Sequence, residues 1–382
     1  MNRSLLLGWA LGLLPLAASA QARFDPATQV LTVPQIDVAG QLYRDLSARL
    51  DPDGRLTILA LTPPASSPGP DLASRVAAAN QVAQADPLCS AVRPFYWEIG
   101  DAAQRLAGAS VGPLAPDAST VLPIASASKW LYGAYVLERR AGQPSAEDIS
   151  FLTFRSGYTE FPPSACTAQD TVASCLARDN HGVKVPAHEG KFHYGGGHMQ
   201  KHASLPSMGL GALDNAGLAA ELRRLLGTDL SLSFGQPQPA GGVRMAARDY
   251  ASFLRKLLGG QLRLGAWLGS SAVCTNPATC SLALYSPISG SLSWHYGLGH
   301  WVEDDPAGDA AFSSAGAFGF YPWIDARKTH YGLIARVDLA GAGGDAAACG
   351  AAIRRAWEQG RPLTLSPRTP PAGRPTPVHR SR

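Results

Sequence analysis

The sequence predicts an α/β (α+β) protein: a sheet flanked by helices, a helical region between its two halves, and a small N-terminal β unit ahead of it. Strand-like runs lie near both ends of the chain while the middle is mostly helical, so one sheet must be built from distant segments. Of the 382 residues, 46% are hydrophobic and 16% charged, which suits one large core or two smaller ones and excludes global disorder. No internal repeat is visible.

Met1 to Ala20 opens with Asn2 and Arg3, continues as the apolar run LLLGWALGLLPLA and ends in ASA, the small-residue pattern of a secretory cleavage site. Residues 1–20 are therefore expected to be a signal peptide; an uncleaved membrane anchor is the alternative, and the apolar stretch is short for it. Residues 24–62 hold the alternating segments QVLTVPQIDV and RLTILAL around the turn signal Asp51–Gly54, a small antiparallel β unit. Residues 63–71 have linker composition.

The rest, residues 72–360, is expected to be one domain. LASRVAAANQVAQA has helical spacing, and FYWEIGDAAQRLAGASVG reads as two strands joined by a turn. A helix follows Ser126, then come DISFLTFRSGYTEF, a His- and Gly-rich region around Tyr194, and the helices NAGLAAELRRLLG and MAARDYASFLRKLLGG. SWHYGLGHWVE, AFSSAGAFGFYPWID and THYGLIARVDL read as three consecutive strands, and DAAACGAAIRRAWEQG as a closing helix. The Pro- and Arg-rich tail, residues 361–382, lacks periodicity and reads as disordered.

The formal charge of +4 is uneven. Without Arg3 and the tail arginines 361, 368, 374, 380 and 382 the remainder carries −2, so the folded body is nearly neutral. No basic stripe interleaved with aromatics marks a nucleic-acid surface. No second apolar run reaches spanning length, so the mature chain is expected to have no stable membrane span and to be a monomer exported to the periplasm or the medium.

The six cysteines favour disulfides in an exported chain. The spacing suggests local loops for Cys166 with Cys175 and for Cys274 with Cys280, leaving Cys89 with Cys349. The absence of any C-x-x-C pair argues against zinc.

The chemistry centres on PIASASKWLYGAYVLERR, residues 123–140. Ser126 and Lys129 stand at i and i+3, so hydroxyl and amine share a helix face. A desolvated lysine loses its charge and becomes the base that a serine nucleophile needs. The N–H groups of a helix start can hold an oxyanion. The spacing alone is weak, because S-x-x-K arises by chance in many chains.

Other candidates are weaker still. Tyr194 lies among glycines that allow close approach of a substrate, and a tyrosine beside a lysine can exchange protons; a packed core tyrosine is the bland alternative. Ser313–Ala317 precedes a strand and could accept an extended substrate or lend an N–H, or be a mere tight turn. Histidines 181, 188, 193, 198 and 202 cluster, and His198 and His202 are four apart, as in metal pairs. Position 199 is Met and no glutamate follows, so solvent-facing or capping histidines are expected, and no metal or cofactor. Arg244 and Arg248, read as a helix start, could bind a carboxylate or form a solvated face.

Taken in order, these pieces resemble the serine β-lactamase and penicillin-binding protein superfamily, in its class C β-lactamase, DD-peptidase and esterase branch. Ser126-Ala127-Ser128-Lys129 matches the S-x-x-K of that group, which the β-lactamases and penicillin-binding proteins exemplify. ISFLTFRSGY is similar to LLTHTSGL, EGKFHYGGG to PGTxFxYSN, AGGVRMAARDYASFLRKLL to AGGLxSTAxDLAxFxxLLL, and YGLGHWV to YGLGW. SSAGAFGFYPWID stands where the branch keeps HGGxTPGF or a K-T-G strand. The resemblance runs from about Asp71 to Gly360.

It implies a β-lactamase/transpeptidase-like fold with Ser126 as acylated nucleophile, Lys129 as proton acceptor and Tyr194 as second acid/base. It implies an oxyanion hole from the N–H groups of Ser126 and Ala317, with Gly196, Ser314, Ala315 and Gly316 along the substrate. Two departures stand out. Gly196 replaces an asparagine that would hold an acylamide, and Ser314 replaces a Lys or His that would bind a carboxylate or tune the tyrosine. The expected substrate is a small or peptidoglycan-derived ester or amide; a catalytically silent module that binds cell-wall peptide or penicillin is the alternative.

Overall fold

Strand β5 (Phe95–Gly100), wholly buried, lies between its hairpin partner β6 (Arg105–Val111) and β17 (Tyr331–Ala335), which comes more than two hundred residues later. The computed structural model describes residues 22–38, 41–51, 54–62, 69–306, 308–340 and 343–362. The expected leader, the linker over 63–68 and the tail from 363 lie outside the described residues. The chain divides into two units, residues 1–69 and 70–382.

In the first unit β1 (Arg23–Asp25), β2 (Val30–Val38), β3 (Gln41–Leu50) and β4 (Leu56–Thr62) form an antiparallel sheet in sequence order. Among its described residues only Val33 and Ala48 are buried hydrophobics, so this sheet has little core of its own.

The second unit starts with α1 (Leu72–Ala85), whose first turn is capped by Asp71 accepting the Ser74 N–H at 2.7 Å. After β5, β6 and β7 (Val121–Pro123), a short 3₁₀ turn, Ala125–Ala127, opens α2 (Ser128–Arg139). The middle of the chain supplies α3 (Ala146–Leu152), β8 (Phe192–His193), α4 (Gly197–Ser204), α5 (Asn215–Leu226), β9 (Leu232–Phe234), β10 (Val243–Ala246) and α6 (Ala247–Leu258). Then come β11 (Val273–Cys274), β12 (Ala283–Tyr285), β13 (His295–Gly297), β14 (His300–Val302), β15 (Phe312–Ser313), β16 (Tyr321–Ile324), β17 and α7 (Gly343–Gln359).

Eight of these strands form one antiparallel sheet in the order β11-β13-β14-β15-β16-β17-β5-β6. Both faces are covered. On β17, Tyr331, Leu333 and Ala335 face a core shared with α2, α5 and α6, while Ile334 faces a second core shared with α1 and α7. Cys89 bonds Cys349 across that second core, with Cα atoms 4.7 Å apart; Cys166 bonds Cys175 and Cys274 bonds Cys280.

Three expectations need correction. SWHYGLGHWVE is two strands, β13 and β14, because Leu298 (φ 46°) and Gly299 (φ 88°) make a two-residue turn with positive φ, the geometry that suits a hairpin. AFSSAGAFGFYPWID likewise splits into β15 and β16. Met245 and Ala246 belong to β10 rather than to a helix, since Met245 pairs with both Leu122 and Leu232; Arg244 is thereby a strand residue. The β13–β14 turn lies directly on α2: a Cβ at Gly299 would stand 2.5 Å from the Lys129 carbonyl, and one at Gly133 would stand 2.2 Å from that of Leu298. These two glycines let the sheet close against the helix that carries Lys129.

Candidate active site

Lys129 occupies the first turn of α2 and is 5% exposed, with Nζ donating to Ser126 Oγ at 2.8 Å and to the Ala240 carbonyl at 2.7 Å. No carboxylate is paired with it among the described residues. Burial alone pulls its pKa from 10.5 to about 7. Near neutral pH a large fraction of the amine is therefore unprotonated, with a lone pair next to a half-buried serine hydroxyl. This is the arrangement that turns a serine into a nucleophile.

Tyr194 follows β8, whose pairing with β12 places it: the Phe192 and Tyr194 N–H groups donate to the carbonyls of Leu282 and Tyr285. Its ring lies under Lys129, with Nζ 4.9 Å from the ring centroid, and stacks on Trp301 at 5.2 Å. Burial pushes the phenol up to about 12, while Ser126 and Trp301 draw it back down. The structure thus gathers Ser126, Lys129 and Tyr194 into one site, the lysine and tyrosine with pKa values far apart, as an acid/base pair needs.

The end of β15 closes the other side. Ser314 donates from Oγ to the Ser126 carbonyl at 3.1 Å. Gly316 passes so near the Ser126 turn that a Cβ would lie 2.3 Å from the Ile124 carbonyl. The N–H groups of Ser314 and Gly316 bond the carbonyls of Pro322 and Phe320 across to β16, and Ala317 follows at an exposed turn. Ala315 packs toward the α1/α7 core, away from Ser126. Ser314 is 3% exposed and its hydroxyl is engaged by backbone. Gly196 stands just before α4, and a Cβ there would meet the Phe161 ring at 3.3 Å, so aromatic carbon crowds the place from which a side chain would project.

Of the five histidines expected to face solvent or cap helices, His198 and His202 are buried and His181, His188 and His193 are half-buried. His198 is fully buried between the Ser156 hydroxyl, 2.7 Å from Nδ1, and the His193 carbonyl, 2.9 Å from Nε2, and burial lowers its pKa to about 3. His202 is equally buried, with Nδ1 3.1 Å from the Tyr132 hydroxyl and Nε2 2.9 Å from Asp148. All four nitrogens are engaged, leaving none for a metal. His188 and His193 stack 6.0 Å apart, and His181 packs against Phe161. Arg244 is exposed on β10; Arg248 is exposed, 3.7 Å from Asp249, and with Arg105, Arg255 and Glu98 lines a cavity of about 340 Å³ that does not include Ser126.

Four groups at the site had no reading in the sequence: the Ala240 carbonyl on Lys129, Trp301 against Tyr194, and the hydroxyls of Ser128 and Tyr250, which bond the carbonyls of Ala125 and Ala127. Only Ser128, inside the S-x-x-K string, carried any local signal.

No protein-family model and no curated protein matches the chain. Solved structures do. EstCE1, a hydrolase with promiscuous acyltransferase activity, superposes with a TM-score of 0.50 at 14% identity over 75% of this chain and 98% of that one. Unliganded simvastatin synthase (LovD) from Aspergillus terreus gives 0.49 at 14% identity over 75% and 97%. A β-lactamase from Mycobacterium bovis gives 0.48 at 15% identity over 70% and 96%. The likeness to EstCE1 shows the fold alone: helices on an antiparallel sheet, the α/β class expected from the sequence.

Proposed function

We propose that the chain is an exported serine hydrolase that cleaves an ester or amide through an acyl-enzyme. The observation that carries the reading is the 2.8 Å contact between the Ser126 hydroxyl and an amine whose pKa burial lowers to about 7. Neutral Lys129 takes the hydroxyl proton as Ser126 Oγ adds to the substrate carbonyl, and the N–H groups of Ser126 and Ala317 hold the oxyanion. Tyr194, protonated at neutral pH, hands a proton to the leaving alcohol or amine as the carbonyl re-forms. In the second half the deprotonated Tyr194 takes a proton from the attacking water, and Lys129 returns its proton to Ser126 Oγ as the acid leaves, so both groups end as they began.

The site offers no cation to a substrate carboxylate at position 314 and no amide at 196, so a small neutral ester or amide ranks first, a peptidoglycan stem peptide second and a β-lactam last. A charge-assisted contact of the missing kind contributes about 1.5–3 kcal/mol. Export is supported by the three cysteine pairs at bonding distance, and among the described residues no helix is long and apolar enough to cross a membrane.

The test is labelling with a fluorophosphonate and a fluorescent penicillin, with mass spectrometry of the peptide holding Ser126. A screen of p-nitrophenyl esters, D-alanyl peptides and nitrocefin runs beside it. Adduct on Ser126 and ester turnover that vanishes in Ser126→Ala support the proposal. Folded protein with unlabelled Ser126 and no turnover overturns it in favour of a silent binding module.

A further inference from the structure

Three successive carbonyls around the nucleophile each accept a hydroxyl from a different part of the chain. Ser128 Oγ donates to Ala125 O at 2.6 Å, Ser314 Oγ to Ser126 O at 3.1 Å, and the Tyr250 hydroxyl to Ala127 O at 2.8 Å. Ser128 and Tyr250 are fully buried and Ser314 nearly so, which shields these bonds from competing water. Ser128 Oγ also accepts the Val243 N–H at 3.3 Å, tying the turn to β10. Inside this ring Ala125 holds φ at 46°, a left-handed conformation that is strained for a residue with a Cβ and persists only where the surroundings enforce it.

Peptide planarity converts these bonds into positioning. Fixing the Ala125 carbonyl fixes the plane it shares with the Ser126 N–H, the proposed oxyanion donor. Fixing the Ser126 carbonyl sets the plane on the other side of the same Cα. With both planes held, the direction of the Ser126 Cα–Cβ bond is set as well, and the 2.8 Å contact with Lys129 Nζ takes up the remaining rotation of the hydroxyl.

We propose that Ser128, Tyr250 and Ser314 form a hydroxyl clamp that holds Ser126 in attacking position, and that they are positioning residues rather than substrate contacts. The assignment rests on the serine hydrolase reading above. It also gives Ser314 a task other than substrate recognition: the hydroxyl at that place serves the protein's own backbone.

The test uses the full-length protein with Ser314→Ala, Tyr250→Phe and, as conservative rescue, Ser314→Thr. One readout is the fluorophosphonate labelling rate together with kcat and KM on a p-nitrophenyl ester. The other, independent of catalysis, is amide hydrogen exchange of the segment 121–130 measured against the rest of the domain. Losing one hydrogen bond of this kind is expected to slow labelling and kcat about five- to tenfold with KM unchanged. Exchange at 125–129 should rise while α1 and α7 stay as in wild type, and Ser314→Thr should restore both. Wild-type labelling and wild-type exchange in Ser314→Ala and Tyr250→Phe overturn the clamp. If Tyr250→Phe fails to fold, Ser314→Ala alone decides. If wild-type protein does not label, the hydrolase reading fails, and unchanged local exchange then overturns the clamp while faster local exchange supports it.

Discussion

The turn at Ser126–Lys129 and the helix bearing His198 and His202 both place reactive side chains at helical spacing, and their fates are opposite. In the turn, the serine is only half-buried and the lysine has no acid beside it among the described residues, so burial makes its charge unstable. On α4, each imidazole is sealed in the core with both nitrogens bonded. Spacing decides which groups can meet; a destabilised charge beside a partly exposed hydroxyl, rather than full burial with every nitrogen bonded, marks which can react.

The sharpest way to break this comparison is Ser126→Ala. It should abolish fluorophosphonate labelling and lower ester turnover by at least about 10³-fold; residual labelling elsewhere in the chain would move the nucleophile. Lys129→Met should cost about 10²–10³-fold in acylation rate and at the same time stabilise the fold, on the order of 2 kcal/mol near pH 7 by urea denaturation. The sign follows from the depressed pKa: between about 7 and 10.5 the unfolded chain binds a proton that the folded chain does not. The advantage of the methionine variant should therefore be largest below pH 7 and fade as the pH climbs toward 10.5. A variant less stable than wild type at pH 6 would show that Lys129 is not held at a desolvation cost.

The same titration predicts that acylation falls about tenfold per unit as the pH drops below 7, roughly 100-fold at pH 5. A stopped-flow profile flat from pH 8 to pH 5 would remove Lys129 as base. His202→Ala should cost about 2–4 kcal/mol in a denaturant titration, since it empties a packed site against Phe151 and leaves Tyr132 and Asp148 short of a partner. The labelling rate per folded molecule should not change; a large drop would mean the two regions are coupled. Smallest of all, dialysis against EDTA should leave labelling unaltered, and a loss restored by one metal would contradict the closed histidine sites.

Much of this was legible before any coordinates. The i, i+3 relation of Ser126 and Lys129 is a local property of helix geometry, and the meeting of distant segments, 95–111 and 273–335, in one sheet follows from where strand-like and helical runs fall. The Leu298–Gly299 turn was missed because hydrophobic patterning shows strand character on both sides of it and only the backbone angle reveals the reversal. Three of the four partners of His198 and His202 lie 42 to 70 residues away, and the Ser314 bond to Ser126 spans 188. Contacts of that range leave no trace in local periodicity. The resemblance to known motifs ordered the candidate pieces and set Ser314 along the substrate, but a matching position says nothing about the bond its hydroxyl makes to the Ser126 carbonyl.

The pairing of β5 with β17 has a consequence for how the molecule is made. A ribosome delivers Phe95–Gly100 long before Tyr331–Ala335, so during synthesis this wholly buried strand must wait with one edge bare. Until then that edge is open to misassociation, and a nascent chain in this condition would depend on export while unfolded or on a chaperone. For the same reason a product terminated before residue 335 should be not a weakened enzyme but no folded domain at all.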